Sequence, residues 1–339
     1  MAIIAVHSYN SLIKDITLNT LNSLYLHKYQ ITIQPEEPIT LPAYKGSALR
    51  GVFGHSLRKT ICVQKDTDCR ECLLRLKCVY SYIFETPIPE DDPFCRKYSS
   101  ALHPYIITPP ITTKRYFKED EQLHFEVVLI GKANDYLPYF VYTFIEMGKM
   151  GIGKDRGRFK LINVSAHQDD GSSIEIFNSS DNILKVSQHK IDSEILSPIF
   201  NESKSGQTHR SAPTLTLVFD TPVRIKDEGD LAAELPFNLL IKRLYDRAVL
   251  LSHYHCQGEM ENGDKFLDGV SEVRIKDSRL RWYDWERYSS RKGRMKLGGL
   301  MGSISYEGNL DKFLPLLKIG EYIHVGKAVT FGLGRYRVT

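Results

Sequence analysis

An α+β chain of two similar β-α-β-β-α-β modules, with a cysteine-rich insertion in the first, is what this sequence predicts. Three observations predict it. The 339 residues exceed one ordinary core and suit two domains of about 100–200 residues each. Strand-like and helix-like segments follow the same order in both halves. Each half also closes on Gly-x-Gly, arginine and a strand: Gly151-Ile152-Gly153 with Arg156 and Arg158, then Gly332-Leu333-Gly334-Arg335.

The first module is read in order. Residues 1–23 are polar and unpatterned, a lead-in. Residues 24–34 alternate apolar and polar as a strand does. A proline-bounded turn follows, and Ser47 is placed to cap a helix over 48–61. On that helix Leu49, Val52, Phe53, Leu57 and Ile61 share one face at about 100° per residue. The cysteine segment comes next, then strand-like runs near 105–117 and 123–131. Residues 135–148 read as an aromatic-rich helix, and a glycine loop leads into the closing strand.

Residues 166–212 are rich in Ser, Asp, Asn and His and read as an interdomain segment. The second module then runs as a strand at 213–225, a helix at 235–255, strands at 270–283 and 295–307 joined by a basic linker, a short helix at 309–319, and a last glycine loop and strand. The division is therefore 1–165, with the insertion at about 62–100, then 166–212, then 213–339. This element order is the ferredoxin-like (RRM-like) one, in tandem.

Composition narrows function. Hydrophobic residues make up 42% and charged residues 25%, an ordinary globular balance. The net charge is only +4, so a nucleic-acid footprint must come from local clustering. No apolar run reaches the length of about 18 residues that spans a membrane. The opening MAIIAVHSYNSLIKD lacks the basic start and cleavage site of an export signal, which points to the cytoplasm.

Four cysteines crowd into one segment as Cys62-x6-Cys69-x2-Cys72-x5-Cys78. Without an export signal such crowding suggests metal rather than disulfides. Four thiolates with one Cys-x2-Cys suit structural zinc; an iron–sulfur cluster and plain thiols are the alternatives. Cys95 and Cys256 read as core residues.

The helix over 48–61 carries His55, Arg58 and Lys59 on its expected solvent face, with Gly51 and Gly54 beside them. Metal-free RNA cleavage uses the substrate 2′-hydroxyl as nucleophile. It needs an acid or base that works near neutral pH, which histidine supplies, and a cation for the phosphorane, which Lys59 supplies. Tyr44 stands just before the helix and could assist. A solvated basic face is the plain alternative. On the later helix, His253 is a rival base and His255 reads as a core histidine.

Gly148 to Asp155 nearly spells a phosphate loop, but Asp155 stands where a magnesium-holding hydroxyl is needed and a helix precedes it. It reads instead as a glycine-rich backbone with Lys154, Arg156 and Arg158 turned to RNA, or as a plain tight turn. Residues 279–296 hold seven Lys/Arg against two acids, interleaved with Trp282, Tyr283, Trp285 and Tyr288. That mixture suits backbone contacts with base stacking, or a charged hairpin with its aromatics packed inside.

Three features carry a family resemblance. They are the terminal run Gly326-Lys-Ala-Val-Thr-Phe-Gly-Leu-Gly-Arg-Tyr-Arg337, the element order before it, and Leu41-Pro42, Gly46-Ser47 and Leu49-Arg50-Gly51 followed by the cysteines and Tyr82-x-Phe84-Glu85. On these the chain resembles the CRISPR-associated endoribonucleases that process precursor CRISPR RNA, within the repeat-associated RAMP superfamily. The resemblance covers most of residues 24–338. It implies metal-independent cutting of CRISPR repeat RNA to 5′-hydroxyl and 2′,3′-cyclic phosphate ends, with no cofactor for catalysis. It also implies a glycine-rich loop on RNA, a basic cleft between the domains, and other CRISPR-associated proteins as partners. Tyr44, His55 and Lys59 match the family's order of catalytic groups. Lys45, Arg50, Arg58, Lys154, Arg156, Arg158, Arg291, Lys292, Arg294, Lys296, Lys327 and Arg335 are the expected RNA contacts. Some relatives cut nothing and bind RNA as subunits of effector complexes, which is the alternative reading here. A third reading, a nucleotide-using enzyme built on residues 148–155, requires ATP binding.

Overall fold

The computed structural model describes residues 21–92, 100–168, 170–185, 190–192, 213–260, 263–289 and 293–339, without the side chains of 287–289 and 293–296. Two compact units result. One spans Leu26–Lys190 and also takes in Thr330–Gly332; the other holds the described residues of Ile191–Val329, Leu333–Thr339 and Leu21–Tyr25.

In the first unit the strands are β1 (Leu26–Pro35), β2 (Ile39–Thr40), β3 (Tyr105–Thr108), β4 (Tyr116–Phe117), β5 (Leu123–Ile130), β6 (Phe159–His167), β7 (Ser173–Asn178) and β8 (Ile183–Leu184). Its helices are α1 (Gly46–Ile61) and α2 (Leu137–Met150). The main sheet runs β3-β5-β1-β6-β7-β8. Its first four strands are all paired antiparallel, with β1 central between β5 and β6. That is the ferredoxin-like order, and both helices supply aromatics to its core. Phe53 of α1 stacks on Phe140 of α2 at 5.1 Å and meets Phe144 at 5.3 Å and Tyr105 of β3 at 5.6 Å. Burying such a ring contributes about 1.5–3 kcal/mol.

The second unit repeats the order with β9 (Thr214–Val223), the ribbon β10–β11 (Lys226–Asp227 and Asp230–Leu231), α3 (Phe237–Cys256), α4 (Asp264–Leu267), β12 (Arg274–Ser278), β13 (Arg281–Ser289), β14 (Gly293–Glu307), α5 (Leu314–Ile323) and β15 (Tyr336–Val338). Its sheet is β12-β14-β9-β15, with β13 also on β14. Phe237 of α3 packs edge-on against Tyr306 and Phe313, and the Tyr306 hydroxyl donates to Leu235 O at 2.7 Å.

Several expectations change. The interdomain segment of 166–212 begins instead as β7 and β8, which lengthen the first sheet. The run 105–117 is two short strands, because Pro109 and Pro110 cannot continue a ladder. The run 270–283 divides into a 3-10 turn, β12 and β13, and β13 continues into the basic linker as far as Ser289, paired with β14. Ser47 lies inside α1; Lys45 occupies the cap position, with no side-chain cap bond. Among the described residues no helix is long and apolar enough to cross a membrane.

Candidate functional site

Helix α1 sorts its residues as the periodicity requires. Leu49, Phe53 and Leu57 are buried, and Val52 and Ile61 pack against the same core. Ser56 is buried too, donating to the Thr143 carbonyl of α2 at 3.2 Å. Gly51, His55 and Lys59, spaced four apart, form one exposed row. Among the described residues the side chains of His55 and Lys59 have no hydrogen-bond or ion-pair partner, so an imidazole and an ammonium stand one turn apart in solvent. Space is open above Gly51.

The other groups expected on this face are elsewhere. Gly54 is buried, and a Cβ there would collide with the Phe84 ring. The Arg58 guanidinium donates to Lys65 O and Thr67 O, so it holds the cysteine segment. Tyr44 is withdrawn from His55. Its hydroxyl donates to Phe331 O at 2.7 Å, and burial pushes its phenol far above the ordinary range. A Cβ on Gly46 would lie 2.9 Å from the Tyr44 ring, so that ring sits at the helix start. His55 is nine residues past Gly46, about 14 Å along the axis. Tyr44 and His55 therefore do not meet at one phosphate.

The expected RNA contacts divide in the same way. Lys45 is 1% exposed; its ammonium donates to Ala43 O at 3.2 Å and Thr112 O at 2.8 Å. Burial, and then the charge of Arg115, lower its pKa. The Arg50 guanidinium carbon lies over the Phe84 ring at 3.8 Å and 5.4 Å from the centre of the Phe331 ring. Arg158 is forked onto Glu37, 2.8 Å from Nε and 2.7 Å from a terminal nitrogen. Arg335 stands 3.9 Å from Asp220. Lys154, Arg156 and Lys327 are exposed, and among the described residues their side chains carry no ion pair. Arg291 and Lys292 lie outside the described residues, as do the side chains of Arg294 and Lys296.

The glycines of both loops answer to this chain's own backbone. A Cβ on Gly153 would strike Thr40 O, the acceptor of the Lys154 N–H. One on Gly157 would strike Pro38 O, and one on Gly334 would strike Val325 O. Gly153 and Gly334 also hold φ of +84° and +71°. The close neighbours of these glycines are residues 38, 40 and 325 of the chain itself, while Lys154 and Arg156 face solvent. Residues 148–150 end α2, and the turn after it commits the Lys154 N–H to Thr40 O rather than to a phosphate.

His255 is buried, as expected, and His253 shares a hydrogen bond with Gly258 O at 3.2 Å. Cys256 is a core residue whose thiol burial pushes up to about 11; Cys95 lies outside the described residues. In the basic hairpin Trp282 and Tyr283 are exposed, while Trp285 is buried with Arg224 5.9 Å from its ring. A further aromatic platform lies outside the expected contacts. Tyr82, Tyr136 and Tyr139 form a run at 5.5 and 6.1 Å, and Tyr139 and Tyr142 are exposed. Such rings can stack bases. The signal was present: at helical spacing Tyr139 and Tyr142 fall opposite Phe140 and Phe144.

The cysteines are free thiols, each partly buried. Cys62, Cys69, Cys72 and Cys78 all line one small cavity with Arg75 and Tyr80. Among the described residues no three His, Cys, Asp or Glu side chains are already drawn into a metal-holding group.

Comparison with known proteins bears on both units. Residues 24–191 match a family model described as the AF_1859 N-terminal domain, and residues 217–336 match that of the CRISPR-associated endoribonuclease Cas6. An uncharacterized protein of Archaeoglobus fulgidus is 24% identical over 306 residues, 88% of this chain and 92% of that one. Among solved structures, a partial Cas6-RT-Cas1–Cas2 complex superposes with a TM-score of 0.58 at 15% identity, over 93% of this chain. This chain spans about half of that one, 46%. A Cas6 product complex gives 0.54 at 14% identity and Thermus thermophilus Cas6 gives 0.51 at 11%, each covering 93% of this chain and 99% of the other. At these identities the likeness is one of fold, and it is the tandem ferredoxin-like fold.

Proposed function

We propose, on the premise of kinship with the Cas6 family of CRISPR repeat-processing proteins, that this chain binds CRISPR repeat RNA and cuts it without metal. The observation that carries the reading is the exposed row Gly51–His55–Lys59 on α1. His55 takes the proton of the 2′-hydroxyl or gives one to the 5′-oxygen, since imidazole titrates near neutral pH. Lys59, one turn on, stabilises the charge that gathers on the phosphorane. Open space at Gly51 lets a sugar-phosphate backbone lie against the helix. The 2′-oxygen attacks phosphorus and the 5′-oxygen leaves, which yields a 2′,3′-cyclic phosphate and a 5′-hydroxyl. Lys154, Arg156 and Lys327 hold the RNA backbone.

The withdrawal of Tyr44 favours one other reading, an RNA-binding subunit that does not cut. Incubation of cognate repeat RNA with wild type and His55→Ala, with EDTA present, separates the two. On the nuclease reading wild type cuts, and the variant binds but loses about 10²–10⁴ in rate. Binding without cutting by wild type leaves the subunit reading. Equal cutting by both puts the acid–base residue elsewhere.

A further inference from the structure

We propose that Cys62, Cys69, Cys72 and Cys78 bind one zinc ion as four thiolates, and that this metal is what folds residues 62–78 onto the end of α1. The cavity supplies the first ground. Four free thiols, one at the end of α1 and three from the turns after it, line the same small space. Backbone bonds tighten the chain around them: Glu71 N–H donates to Asp68 O, Arg75 N–H to Cys72 O, and Cys78 N–H to Leu74 O. Cys69 thus lies within the 68–71 turn and Cys72 opens the 72–75 turn, so two successive turns bring the Cys-x2-Cys pair to the cavity.

Missing apolar burial supplies the second ground. From Val63 to Val79 no residue is buried, and the partly covered ones include three of the cysteines themselves. The apolar side chains point outward: Val63 is 75% exposed, Leu73 99% and Leu76 60%. Ordering one residue costs about 1–2 kcal/mol in backbone entropy. Only Cys69, Cys78 and Val79 of this segment pack on the core, too little to offset that cost. A metal can, because its binding energy is folding energy for such loops.

Charge supplies the third ground. Zinc with four thiolates carries a net −2. Arg75 lines the cavity, and Arg58 donates to Lys65 O and Thr67 O beside Cys62 and Cys69. Two guanidiniums thus stand where an outer shell needs cations. An all-sulfur tetrahedral donor set selects zinc over the hard divalent ions. Each thiol gives its proton to solvent as it coordinates, and the sulfurs close from the cavity wall to about 2.3 Å from the metal.

The test uses the full chain purified without chelators under reducing conditions. Elemental analysis is expected to give one zinc per chain. Zinc is expected to protect four thiols from a disulfide reagent and to slow proteolysis within residues 63–77; EDTA should reverse both. Cys69→Ser with Cys72→Ser is expected to lose the metal with far-ultraviolet dichroism retained. If that variant does not fold, thiol protection in the wild-type chain decides. Iron with sulfide and visible absorbance would overturn the proposal in favour of a cluster. Equal thiol reactivity in the zinc-loaded and the chelator-stripped chain would overturn it outright. No RNA enters these readouts, so they stand apart from the cleavage assay.

Discussion

The Tyr44 hydroxyl donates a 2.7 Å hydrogen bond to the carbonyl oxygen of Phe331, which lies 287 residues further along the chain. It ties the start of α1 to the terminal glycine loop. The same loop leaves no room for a side chain at Gly46, where a Cβ would strike Phe331 O. Tyr44 is therefore a structural residue, and Tyr44→Phe is expected to cost about 1–2 kcal/mol by leaving that carbonyl unpaired. Urea denaturation would measure the loss. RNA cleavage by the folded variant should match wild type, and a fall as large as that of His55→Ala would return Tyr44 to the chemistry.

Two glycines one turn apart on α1 should respond with opposite signs. Gly51 is exposed with open space around it, so Gly51→Ala is expected to stabilise by about 0.5–1 kcal/mol through helix propensity. Gly54 backs onto Phe84, whose ring is stacked on Tyr80 and Arg50 and cannot easily give way. Gly54→Ala is expected to destabilise by about 1–3 kcal/mol as overpacking does. Thermal midpoints of the two variants decide; shifts in the same direction would contradict the placement.

Lys45 should behave as a core residue. Lys45→Met removes the donor to Ala43 O and Thr112 O and is expected to cost about 1–3 kcal/mol. RNA affinity of the folded variant should not change. Because the folded lysine has the lower pKa, the unfolded chain binds its proton more tightly. Its contribution to stability therefore rises with pH, in the window between the lowered value and the ordinary one near about 10.4. Denaturation of wild type and Lys45→Met across that alkaline window should show the difference; parallel curves would exclude it.

The cations of the first glycine loop should differ in their effect on RNA binding. Lys154→Ala and Arg156→Ala are each expected to lower the slope of log affinity against log salt by about 0.7, one phosphate contact on a single strand. Arg158→Ala should do less, since Glu37 already neutralises that guanidinium. Filter binding at several salt concentrations would resolve the three, and an equal slope change for Arg158 would contradict the pairing.

That pairing also has a pH signature. The hydrogen bonds from Arg158 hold the Glu37 carboxyl below its ordinary value. The pair's contribution is present above the ordinary carboxylate range near about 4.3 and is lost as pH falls through the lower folded value. Both groups are exposed, so the effect is small and salt-screened. The difference between wild type and Arg158→Ala should shrink in acid and at high salt, and a difference that grows in acid would reverse the assignment.

The sequence by itself determined what local periodicity can carry. The run Leu49, Phe53, Leu57 repeats at helical spacing, so α1 and its exposed row at His55 and Lys59 were legible without coordinates. The alternation in 24–34 likewise announced β1. The four cysteines were equally plain as a group, because their spacing is local. Tertiary structure alone decided which cations are free and why the glycines are there. Glu37 meets Arg158 at a separation of 121 residues, and Thr112 meets Lys45 at 67. No window of sequence contains both partners. Gly153 and Gly334 marked glycine loops in the sequence, but only the fold shows Thr40 O and Val325 O standing where their side chains would be. Hydrophobic period is set by the chain's own turn geometry, whereas a charge or a close approach is settled by whatever distant segment the fold brings beside it.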